Sequence, residues 1–117
     1  MQTIELVAGS TFGFAGPVSN LNGAIAWGLA SSVRVSGATA DLDAFTCSIA
    51  QASDFSISGL WNVSIAATAV QTAQWWTAAR LKSGELLFDL KFFNTAASDP
   101  VLRTELILLK LTAPVTE

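Results

Sequence analysis

The side chains that most often carry out chemistry are scarce in this sequence. Histidine is absent and cysteine occurs once, as Cys47. Without histidine there is no imidazole base and no Ser-His-Asp or Cys-His nucleophile, and one thiol is too few for a zinc site. An intrachain disulfide is equally excluded. The closest approach to a pair of acids is Asp41 and Asp43, which flank Leu42 just before a strand. Paired carboxylates serve glycoside hydrolysis when the fold sets their separation, and calcium when more oxygens surround them. Asp41-Leu42-Asp43 supplies too few ligands for calcium, even with Ser36 and Thr39 nearby, so solvated loop acids are expected. Gly9-Ser10-Thr11-Phe12-Gly13 has the small residues of a phosphate loop, but neither the lysine nor the helix such a loop needs. Two strands joined by a tight turn account for it. Asn62-Val63-Ser64 fits a glycosylation acceptor, yet lies inside an expected strand. No catalytic, metal-binding or cofactor-binding residue is expected, and the protein reads as a non-enzyme.

Four tryptophans stand in a chain without tyrosine. An exposed indole stacks on sugars or anchors a protein interface. Trp61 alternates with Val63 and Ile65, which places it in a core. Trp75 and Trp76 are adjacent on an expected helix, about 100° apart, so one packs on the sheet while the other reaches outward. That outer ring is an interface anchor, a sugar platform or a partly exposed ring without a role. Trp27, beside Gly28, suits either core or surface.

These residues are carried by 117 residues and 12.3 kDa, enough for one domain. The chain is 51% hydrophobic and 13% charged, with a mean hydropathy of +0.50. Such a composition excludes disorder. No apolar run approaches the roughly 18 residues of a membrane helix, since Lys110 breaks the best one, Leu106 to Leu109. The net charge is −3 and the pI near 4.7, with Arg34, Arg80, Lys82, Lys91, Arg103 and Lys110 scattered along the chain. That is no nucleic-acid footprint. The opening Met1-Gln2-Thr3-Ile4-Glu5 has neither the basic nor the apolar segment of a signal peptide. Burial against other subunits is the simplest account of the surplus apolarity.

Most of the chain alternates with the two-residue period of strands. Residues 2–7 form the first run and Thr11-Phe12-Gly13-Phe14 the next, closed by a Gly16-Pro17 breaker. Residues 24–30 read as a covered loop. Val33 and Val35 share one face, as do Phe45, Cys47 and Ile49, while Phe55 and Ile57 form a small edge piece. Trp61, Val63 and Ile65 make the clearest strand. From 67 to 79 the pattern turns helical, with Val70, Ala73 and one of the tryptophans in register. Thr68 and Gln71 fit a capping box, and Gly84 follows the end near Arg80. Leu86, Phe88 and Leu90 mark another strand, 94–100 a hairpin-type loop, and 102–111 the last long strand.

Several of these phrases resemble the small β-sandwich domain of tailed-bacteriophage tail proteins, found in baseplate upper proteins and at the N-terminus of tail fibres and tailspikes. Leu60-Trp61-Asn62-Val63-Ser64-Ile65 is similar to one of its strands, and Ala66-Ala67-Thr68-Ala69-Val70-Gln71-Thr72-Ala73 to its small-residue helix. Gly84-Glu85-Leu86-Leu87-Phe88-Asp89-Leu90 resembles its glycine, aromatic, Asp-Leu strand. The closing Glu105-Leu106-Ile107-Leu108-Leu109-Lys110-Leu111-Thr112-Ala113-Pro114-Val115-Thr116 resembles its last strand and Pro-x-Thr exit. Ile4-Glu5-Leu6-Val7-Ala8-Gly9-Ser10-Thr11-Phe12 resembles its opening hairpin, whereas residues 21–55 match only in the order of elements. In those larger proteins the domain precedes a fibre or receptor-binding region. Here the sequence stops at Glu117, so a free-standing adaptor is expected.

The expected fold is an all-β, mainly antiparallel Ig-like β-sandwich of about seven strands spanning residues 1–117, with one short α-helix near residues 67–79. The resemblance implies a structural virion protein that joins tail or baseplate parts, or attaches a tail fibre. It would be made in the host bacterial cytoplasm without a signal peptide. Copies of itself and other virion proteins are the expected partners, in trimeric or ring symmetry; no nucleic acid, membrane, cofactor or small-molecule ligand is expected. Trp27, Trp75, Leu87, Phe93 and Ile107 are the expected contacts, each apolar where a sandwich need not bury it. A capsid decoration or head-fibre protein and a tryptophan-based carbohydrate-binding module are the alternatives.

Overall fold

Alternation of apolar and polar residues builds most of the chain into short strands. A computed structural model describes residues 2–114. The first half holds β1 (Gln2–Val7), β2 (Phe12–Val18), β3 (Trp27–Ala30), β4 (Ser32–Val35), β5 (Asp43–Ala44) and β6 (Thr46–Gln51). A helical turn α1 (Phe55–Ser58), β7 (Trp61–Ala67) and the helix α2 (Ala69–Ala79) follow, with a 3-10 turn over Arg80–Lys82. The chain finishes with β8 (Glu85–Phe88), β9 (Lys91–Asn94), β10 (Val101–Arg103) and β11 (Ile107–Thr112).

These strands form a mostly antiparallel, sandwich-like all-β fold. A five-stranded sheet runs β1-β11-β8-β4-β5, and two three-stranded sheets run β10-β9-β3 and β2-β7-β6. Among the described residues only the β1–β11 pair is parallel. The inner face of the large sheet contributes Val33, Leu86, Leu109 and Leu111, all almost wholly buried. Trp61, Val63, Ile65 and Ala67 of β7 pack from the opposite layer, on the face their alternation predicts. Phe12, Phe45, Phe88 and Trp75 fill the centre, with Phe45 lying 4.9 Å from Phe88 and 5.3 Å from Trp75 between ring centroids, both edge-on. Tilted and edge-on packing of this kind satisfies the aromatic quadrupoles as well as burying area.

Several long stretches bend where uninterrupted strands were expected. The run at 86–90 ends as β8 at Phe88 and turns into β9 from Lys91, and 102–111 divides into β10 and β11, while the expected loop at 24–30 contains β3, directly before β4. The order β3-β9-β10 in one sheet matches β4-β8-β11 in the other. Three adjacent runs therefore turn a corner together and change sheets, a known way of making sandwich corners. Its hydrogen bonds come from the residues between the strands. Ser31 Oγ donates to the Asp89 carbonyl at 2.7 Å, while Leu90 N–H donates to the Thr104 hydroxyl and Thr104 N–H to the Leu90 carbonyl, both at 3.0 Å. Alternation persists through the bend from Leu86 to Phe92, so periodicity alone does not reveal it there.

Other departures have equally local causes. β1 and β2 do not form a hairpin: β1 pairs with β11 and β2 with β7, so the turn between them crosses layers. β2 continues through Pro17 because it is an edge strand, where a missing N–H costs no ladder bond. Phe55 and Ile57 lie in the helical turn α1, with Ile57 fully out in solvent, instead of on an edge strand. In α2 the buried stripe is Thr72, Trp75 and Ala79, while Val70 is 66% exposed. Thr72 takes the inner position because its hydroxyl accepts from Gly9 N–H at 3.0 Å and donates to the Ser10 carbonyl at 2.7 Å, holding the β1–β2 turn.

The helix boundaries agree with the sequence pattern. Thr68 Oγ1 accepts from Gln71 N–H and the Gln71 side chain accepts from Thr68 N–H, completing the capping box. Gly84, at φ +72°, returns the chain from the helix into β8. A Cβ there would run into the Leu111 carbonyl, so the position needs both the left-handed backbone and the absence of a side chain.

Candidate functional site

Two surfaces can engage a partner: the free strand edges and the hollow of the corner. The β5–β6 connection and the approach of β3 to β6 close one long side of the sandwich. On the other side β1, β2 and β10 are edge strands, each paired on one side only. Between β1 and β2 lies a small apolar cavity of about 60 Å³, lined by Gln2, Ile4, Phe14, Ile65, Phe88, Leu90 and Ile107. Phe14 points inward by its register opposite Ile65, yet stays 47% exposed because no strand lies beyond it. On β10, Val101 and Leu102 are 43% and 44% exposed. Together these leave apolar side chains along edges whose backbone groups are also unpaired.

The second surface is the concave side of the corner. There the bent strands leave a groove of about 430 Å³ lined by Ala30, Ser31, Ser32, Arg34, Asp41, Leu87, Phe88, Asp89, Lys91, Arg103 and Leu106. Arg34, Lys91 and Arg103 come from β4, β9 and β10, so each bent run brings one cation to the same hollow. Arg103 makes a 3.4 Å ion pair with Asp89. Lys91 holds its ammonium 5.9 Å from the centre of the Phe93 ring.

The five expected contact residues do not form one patch. Leu87 lies half-buried on the outer face of the large sheet, opposite Leu108 and Arg34 in the ladder, and forms part of the groove wall. Phe93 is half-buried on β9, its ring packed over Gly28, where any Cβ would meet it. Ile107 faces the small apolar cavity. Trp27 and Trp75 are corrected: the protein buries both itself, at 7% and 1% exposure. Trp27 Nε1 donates to the Asn22 carbonyl at 3.0 Å and so closes its own loop. Trp75 Nε1 donates to Asp43 Oδ2 at 2.9 Å. Trp76 is the outer ring of the adjacent pair, and it too is only half-exposed. Trp61 is buried in the core at 6% exposure, so Trp76 is the one tryptophan with an exposed part.

The two acids separate as well. Asp41 lines the groove, whereas Asp43 carries three contacts: Trp75 Nε1, the Gln71 side-chain amide at 3.2 Å and Ala44 N–H at 2.8 Å. These bonds, led by the one from Trp75, hold its carboxyl below the ordinary value of 3.8. A residue expected to be solvated is therefore a clamp between β5 and α2. Nothing in the local sequence marks it, since its partners are 28 and 32 positions away. Burial pushes the Cys47 thiol upward, which suits an inert core position better than a reactive one. Among the described residues no group of three potential metal ligands comes together, and no helix is long and apolar enough to cross a membrane. The groove was equally invisible in the sequence, because its charges are dispersed along the chain and meet only through the bend.

No family model and no curated protein matches this chain.

Proposed function

We propose that this protein is a non-enzymatic structural component of a tailed-bacteriophage virion, joining tail or baseplate parts or attaching a fibre through apolar protein contacts. One observation carries the assembly part: the edge strands β1, β2 and β10, each with one free side, leave Phe14, Val101 and Leu102 nearly half exposed. Free edges and apolar side chains in one place favour strand-to-strand or edge-to-face association. The shape agrees. The molecule measures 49 × 28 × 23 Å and exposes 6790 Å², against about 6,100 Å² for a compact monomer of its mass. An ordinary interface of roughly 800 Å² per partner would occupy only a modest share of that surface. The phage assignment rests on the sequence resemblance in the strands and the capped helix.

The test is the solution molar mass by light scattering after size exclusion, over a concentration series. A stable trimer or larger ring that dissociates in Phe14→Asp or Leu102→Asp, with the fold intact by circular dichroism, is the expected result. A monomer at the highest attainable concentration would overturn self-association through these edges.

A further inference from the structure

The corner groove has features that edge-to-edge assembly does not use. It gathers three of the protein's six basic residues in a molecule whose net charge is −3. Only Arg103 is ion-paired there, weakly and with its own side chain 57% exposed. Arg34 and Lys91 have no acidic partner among the described residues. Asp41 is likewise unpaired, and Ser32 adds a hydroxyl to the lining. Leu87 and Leu106 provide an aliphatic wall. The volume of about 430 Å³ falls within the range of small-molecule sites.

We infer that this groove binds a carboxylate-bearing ligand of sugar size, of the hexuronate type. The two unpaired cations offer charge-assisted bonds to the carboxylate. Asp41, Asp89 and Ser32 can exchange hydrogen bonds with ring hydroxyls, and the leucines cover a ring face. A simple phosphate would satisfy the cations but would leave the acids and the aliphatic wall without partners. A neutral sugar would leave both cations unanswered. Because the groove is formed by a backbone corner fixed through Ser31 and Thr104, its shape exists before any ligand arrives.

The experiment is a titration of the intact protein with glucuronate, glucose and inorganic phosphate at low ionic strength, followed by heteronuclear NMR shifts. Saturable glucuronate binding, with shifts centred on Arg34, Leu87 and Lys91, is expected, weakening as salt is added. Arg34→Gln or Lys91→Gln should lower affinity about tenfold or more. Lys82→Gln, which makes the same change in net charge away from the groove, should leave it unaltered. Failure to saturate, equal binding of glucose, equal competition by phosphate, or an equal loss in Lys82→Gln would each overturn the assignment. Self-association is read separately by molar mass, so the two proposals fail independently.

Discussion

Removing the Asp43 carboxylate should loosen α2 from the sheet, because that one group satisfies a buried donor. Trp75 is 1% exposed and its indole N–H has Asp43 Oδ2 as its partner at 2.9 Å. In Asp43→Ala the N–H stays buried without an acceptor, a cost of about 1–3 kcal/mol. Ala44 N–H is exposed and turns to water, while Gln71 keeps the Ala44 carbonyl at 3.2 Å, so neither adds much. A net loss of about 1–3 kcal/mol follows, a sizeable part of the roughly 5–15 kcal/mol that stabilises a domain of this size. Asp43→Asn keeps an oxygen able to accept from the indole and should cost about 1 kcal/mol or less. The assay is equilibrium urea unfolding at pH 7, followed by indole fluorescence and circular dichroism. A cycle with Trp75→Phe should show a coupling of about 1–2 kcal/mol. The pH dependence has a definite sign. Hydrogen bonds to the ionised form lower the folded-state value of Asp43, so its contribution is complete above the unfolded value and is lost as pH falls through the folded one. The gap between the wild type and Asp43→Asn should hold at pH values well above 3.8 and shrink as pH falls below it. An Asp43→Ala protein within about 0.5 kcal/mol of the wild type, as at an ordinary surface position, would refute the clamp.

Two further substitutions probe the residues that start α2 and return the chain from it into β8. Gly84→Ala combines a left-handed backbone with a collision against the Leu111 carbonyl, and should cost about 2–4 kcal/mol by the same unfolding assay. Thr68→Ala removes the N-cap acceptor of Gln71 N–H at 3.1 Å and should cost about 1 kcal/mol, read as a lower urea midpoint with an unchanged slope.

The elements of this protein are largely local, and so they were legible one by one. The β7 face of Trp61, Val63 and Ile65 follows from a two-residue period, which a strand cannot satisfy in more than one orientation against a core. The start and end of α2 follow from Thr68, Gln71 and Gly84, whose hydrogen-bonding and backbone preferences act over a few residues. Composition likewise removed histidine, zinc and disulfide chemistry without any coordinates. Tertiary structure decided the rest, because it depends on partners remote in sequence. Thr72 is buried instead of Val70 only because the Gly9-Ser10 turn needs its hydroxyl. Asp43 is a clamp only because Trp75 arrives beside it, and the same burial removes Trp75 from the surface. The corner leaves alternation unbroken from Leu86 to Phe92, so there only the matching strand order of two sheets exposes it. That bend also collects Arg34, Lys91 and Arg103, since charges spread along a chain meet only where the backbone folds them together.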